Sequence, residues 1–137
     1  YAVSFYAPDE SHPGGEPSAF FSGIEVGSSQ LLFLDPDNGF EPERSSTDKH
    51  VRYADLDGLI KTISPDTVVT VFQHHRRKKF TDDFARIRER LLSGYCCAVY
   101  WHSLMFVALS SSPATIAKVR EINSAYARHR PVQILAG

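Results

Sequence analysis

Cysteine is scarce in this chain of 137 residues: there are two, and they are adjacent, Cys96-Cys97. Neighbours in a strand point to opposite faces, so the pair suits neither a structural disulfide nor half of a metal site. Reduced thiols fit a cytoplasmic location. Long apolar runs are also missing, since nothing approaches the roughly 20 residues that cross a bilayer. No Gly-x-Gly-x-x-Gly follows a strand and there is no P-loop, which removes ordinary dinucleotide and ATP sites. The Gly-x-Ser-x-Gly elbow and any zinc-ligand Cys/His spacing are absent too. The chain opens at Tyr1 with neither Met nor a signal-peptide pattern, so a processed chain or a fragment is expected. What remains, 42% hydrophobic and 12% aromatic, is enough for one genuine core and too much for a disordered segment.

The net charge of −1 hides an asymmetry. Residues 1–66 carry 4 basic and 12 acidic side chains, and residues 67–137 carry 11 and 4. Such a split is read either as an electropositive face for an anionic ligand or as solvated helix surface. A short strand is predicted at 3–6, followed by loop over 7–30 with at most one helical turn. Leu31-Leu32-Phe33-Leu34 is a continuous apolar run, the pattern of a strand buried on both faces. Tyr53, Leu56, Ile60 and Ile63 recur at helical spacing before Ser64-Pro65. A second interior strand is predicted at 67–72. A helix capped by Thr81 follows, with Phe84, Ile87 and Leu91 as its buried stripe. Strands at 96–101 and 104–110, a helix opened by Ser112-Pro113 and a last strand at 132–135 complete the order.

Strand, helix, strand, helix, strand is the alternation of a parallel sheet covered on both faces, with ligands at the carboxyl ends of its strands. Residues 1–137 are therefore read as one α/β domain, with 1–30 a loop-rich edge or the remnant of a missing half. Two polar groups fall at such ends. Asp35-Pro36-Asp37-Asn38-Gly39 follows the first strand and offers carboxylate and amide acceptors on a turn shaped by Pro and Gly. Gln73-His74-His75 follows the second, and an imidazole beside carboxylates can act as acid, base or metal ligand. If the strands are neighbours, Asp35, Asp37 and His74 could surround a divalent cation in a hydrolase or nuclease. Arg76-Arg77-Lys78-Lys79 comes next and could hold the phosphates of a nucleic acid, catalysis or none.

On these residues, the order from Leu31 onward resembles the carboxyl-terminal half of a class I S-adenosylmethionine-dependent methyltransferase. It also resembles a group of uncharacterised proteins carrying Phe-Leu-Asp-Pro-Asp-Asn-Gly with a later Gln-His. The resemblance covers roughly residues 31–110. It implies a three-layer Rossmann-like sandwich, mostly parallel, with an antiparallel closing hairpin at 96–110. It further implies S-adenosylmethionine as cofactor and amino-methylation of a nucleic acid. In that role Asp35 and the Pro36 carbonyl would accept an exocyclic amine, with Asp37, Asn38 and His74 at the catalytic edge. Phe40, Gln73, Arg76, Arg77 and Lys78 would contact substrate. Asp37 and Asn38 stand where the family has a second proline and an aromatic, and residues 1–30 carry no Gly-rich cofactor loop.

Overall fold

The β-branched and apolar runs form five strands, and the helically spaced ones form three helices, in a computed structural model that describes residues 31–44, 47, 49–76 and 78–136. In chain order these are β1 (Leu31–Leu34), α1 (Tyr53–Thr62), β2 (Val68–His74), α2 (Phe80–Arg90), β3 (Tyr95–Trp101), β4 (Leu104–Ser110), α3 (Pro113–Ala127) and β5 (Gln133–Ala136). The strand expected at 3–6 and the loop at 7–30 lie outside the described residues. No described helix is long and apolar enough to cross a membrane.

The sheet order is β1-β2-β4-β3-β5. Among the described strands only β1 and β2 pair in parallel, while β2–β4, β4–β3 and β3–β5 are antiparallel. This overturns the expected mostly parallel Rossmann-like sandwich. The cause is the tight connection at His102 and Ser103, where His102 takes a positive φ of 53°. It turns β4 straight back along β3, and β4 fills the slot between β2 and β3. Alternation of helix and strand along the chain says nothing about which strand occupies that slot.

The connections from β1 to β2 and from β2 to β3 move across the sheet one way, between strands that point alike. The connection from β4 to β5 moves the same way between two strands that also point alike, but reversed relative to β1, β2 and β3. Crossovers of one hand must then place α3 on the face opposite α1 and α2. The packing agrees. Leu56, Ile60, Phe84 and Ile87 join Leu32, Val69, Val71 and Val107 in the main core, whereas Ile116 meets Cys97 and Ala108 on the other face. Each such large side chain, fully buried, contributes about 1.5–3 kcal/mol over its exposed state.

Neither predicted interior strand is covered on both faces. In β1, Leu32 and Leu34 are buried while Leu31 and Phe33 remain 61% and 52% exposed, because α3 packs over β3, β4 and β5 and, among the described residues, leaves that face of β1 uncovered. In β2 the burial alternates, with Val69, Val71 and Gln73 inside. Thr81 is not the cap of α2, which begins one residue earlier after Lys79. Ser112 does cap α3, accepting the Thr115 N–H at 3.3 Å, with proline in the first turn. Asp57, buried in α1, accepts the N–H groups of Leu92 and Ser93 at 3.0 and 2.9 Å and so ties the loop after α2 to α1. Cys96 packs toward the main core and Cys97 toward α3, both as free thiols. Burial pushes both up to about 11.

Candidate functional site

Because β1 and β2 are parallel neighbours, with Leu34 level with Val71, their polar continuations emerge at one rim. Asp35, Asp37 and Asn38 are exposed there and Pro36 is half-buried. The turn closes on itself through the Gly39 N–H, which donates to the Pro36 carbonyl at 3.2 Å. Residues 38–41 then run beside 49–51. Asn38 N–H donates to Lys49 O at 2.9 Å, Val51 N–H to Gly39 O at 2.8 Å and Glu41 N–H to Val51 O at 2.9 Å.

Under this turn lies Gln73, only 1% exposed. Strand alternation points it to the same side as Val69 and Val71, so a polar amide enters the core and must find partners. Its Oε1 accepts the Phe40 N–H at 2.9 Å and Arg76 Nη2 at 2.7 Å, and its Nε2 donates to the His74 carbonyl at 2.8 Å. Arg76 also donates to the Phe40 carbonyl, so both backbone groups of Phe40 are held by side chains from across the rim. Gly39 makes this approach possible. Its φ is +73°, and a Cβ there would lie 2.3 Å from Gln73 Oε1.

The candidate residues thus separate into two sets. Asp35, Asp37 and Asn38 form the exposed turn, and His74 is exposed beyond it. His74 stands three residues past Val71, roughly 10 Å further along the strand than the end of β1. It lies on the face opposite Gln73, its ring edge-on to Phe72 at 4.4 Å. Phe40, Gln73 and Arg76 are framework beneath the turn. The Phe40 ring is fully buried and stacked on Tyr53 at 5.8 Å. Lys78 bonds to Glu43 at 3.0 Å, and that ammonium holds the Glu43 carboxyl below its usual range. Arg77 lies outside the described residues. Among the described residues no three His, Cys, Asp or Glu side chains are placed to hold a metal ion, and Asp35, Asp37 and His74 make no such group.

The sequence analysis missed a charged layer behind this framework. Asp83 is almost fully buried and lies 3.4 Å from Arg86 Nη2. Arg90 sits 5.0 Å above the Tyr53 ring and 3.9 Å from Glu41, whose Oε1 accepts the Tyr53 N–H at 2.8 Å and so caps α1. Burial lowers the Arg76 guanidinium, while the neighbouring Asp83 charge opposes the shift. Burial raises the Tyr53 phenol. His50 is lowered, first by burial and then by the Arg76 charge. Both Asp83 carboxylate oxygens, Tyr53 Oη and Arg86 Nε lack a hydrogen-bond partner among the described residues. The signal for Asp83 was present: positions 80, 83, 84 and 87 share one face of a helix, so Asp83 stands on the apolar stripe.

No family model, no curated protein and no solved structure matches the chain.

Proposed function

We propose that the rim at residues 35–38 and 73–75 recognises nucleic acid, presenting Asp35, Asp37 and Asn38 as acceptors for the exocyclic amines of bases. The observation that carries this reading is the clamp beneath the turn. An exposed Asp-Pro-Asp-Asn turn can close on its own local hydrogen bonds. Here it is additionally anchored by a buried glutamine, a half-buried arginine and a glycine that no other residue can replace without strain. Such support keeps acceptors at fixed positions, as base recognition requires.

The test is fluorescence anisotropy with labelled 12-mers. Oligo-A and oligo-C carry exocyclic amines, and oligo-U carries none. The reading expects oligo-A or oligo-C to bind about tenfold tighter than oligo-U, each good base contact contributing roughly 1–3 kcal/mol. The double variant Asp35→Ala, Asp37→Ala should erase that difference. Equal binding of all three oligonucleotides would refute it. A second reading, S-adenosylmethionine-dependent methyl transfer to such an amine, draws support from the common rim that the parallel β1–β2 pair creates. Isothermal titration with S-adenosylmethionine decides it, and no heat at millimolar ligand removes methyl transfer while leaving recognition intact.

A further inference from the structure

At the opposite end of the sheet, where β3 begins, a groove of about 300 Å³ opens between the last turn of α2, residues 94–96 and the first turns of α3. Arg88 from α2, Arg120 from α3 and Tyr95, 51% exposed, all line it. Their positions follow from alternation in β3. Arg88 acts on the Cys96 thiol, which faces α2, while Arg120 acts on the Cys97 thiol, which faces α3. The two guanidiniums therefore straddle the strand. Neither has an ion-pair partner among the described residues, and no carboxylate lines the groove. This contrasts with Arg86, Arg90 and Lys78, each of which faces Asp83, Glu41 or Glu43. Leu91, Ile116 and Ala117 supply an apolar floor.

Paired cations without counter-charge call for an anion, and guanidinium geometry suits phosphate oxygens. A half-exposed aromatic ring over an apolar floor calls for a planar partner. A nucleotide combines the two at this size. We propose that the groove binds a phosphorylated nucleotide unit, its phosphate between Arg88 and Arg120 and its base against Tyr95. The proposal stands apart from the rim and does not depend on it.

Isothermal titration with AMP, adenosine, inorganic phosphate and an oligo-dA 8-mer tests this, using the intact chain and the double variant Arg88→Ser, Arg120→Ser. Both arginines are exposed, so circular dichroism and thermal melting should show an unchanged fold. AMP or the 8-mer should bind at least about tenfold tighter than adenosine or phosphate alone. Whichever of the two binds identifies the source as a free nucleotide or a chain. The double variant should weaken that binding about tenfold or more, and Tyr95→Leu should weaken it several-fold. Phosphate binding as tightly as AMP would overturn the proposal. So would AMP and 8-mer binding that the double variant retains, or no heat from either ligand at millimolar concentration.

Discussion

Gly39→Ala should be among the most damaging single methyl additions this chain can receive. At φ +73° a non-glycine residue costs about 1 kcal/mol. The added Cβ would lie 2.3, 2.6 and 2.7 Å from Oε1, Cδ and Nε2 of Gln73, well inside contact distance. That amide cannot retreat cheaply, because it is fastened to Phe40, Arg76 and the His74 carbonyl and is 1% exposed. Forcing it aside costs about 1–3 kcal/mol in repacking and about 1–3 kcal/mol more in orphaned hydrogen-bonding groups. The expected loss is about 3–7 kcal/mol, a fall in Tm on the order of 10–25 °C for a chain of this length. Thermal and urea denaturation measure it. A double-mutant cycle isolates the cause: in a Gln73→Ala background the obstruction is gone, and Gly39→Ala should cost only about 1 kcal/mol. A loss below 1 kcal/mol from Gly39→Ala alone, or strictly additive effects in the cycle, would refute the clamp.

Two further outcomes are expected. Asp57→Ala leaves the Leu92 and Ser93 N–H groups without their acceptor and should destabilise by roughly 2–4 kcal/mol in urea titration, with Asp57→Asn recovering about half. A change of less than 0.5 kcal/mol would mean that water replaces the carboxylate. His50, whose pKa is lowered by burial, accepts the Thr47 N–H through its unprotonated Nδ1 at 3.0 Å. Its contribution is present above the ordinary histidine value of about 6.5 and is lost as pH falls through the lower folded value. Tm should therefore decline between pH 7.5 and 5, and His50→Gln should flatten the decline; an unchanged slope in the variant rules the histidine out.

The local grammar of the chain was largely legible. Helical spacing located α1 within a residue or so, and Ser112-Pro113 marked the start of α3 because a cap and a fixed φ are encoded in adjacent residues. That β1 and β2 are neighbours was a condition of the site and not a reading of the apolar runs, and the parallel pair meets that condition. Two things did not follow. The antiparallel hairpin at 96–110 was expected and forms, but nothing in its residues says that β4, its second strand, enters the slot between β2 and β3. The expectation that β1 and β2 were covered on both faces treated apolar runs as interior, whereas α3 reaches β3, β4 and β5 and, among the described residues, leaves Leu31 and Phe33 of β1 half-exposed or more. At the rim, polar residue types identified the neighbourhood but not the roles. Gln73 and Arg76 turn inward because Oε1 and the guanidinium saturate the backbone of Phe40, a pairing 33 to 36 residues apart that no local pattern encodes.

The slot occupied by β4 also dictates how the sheet can assemble. β2 cannot acquire its second neighbour until the chain has passed β3 and doubled back. The hairpin of β3 and β4, joined by a short turn, closes on a microsecond timescale, whereas its docking onto β2 closes a loop of some thirty residues. The pairing of β2 with β4 therefore spans a longer loop than the hairpin it joins, and local closure of β3 on β4 is the cheaper of the two contacts. During synthesis, a chain released only as far as β3 has no β4 with which to complete the centre of its sheet.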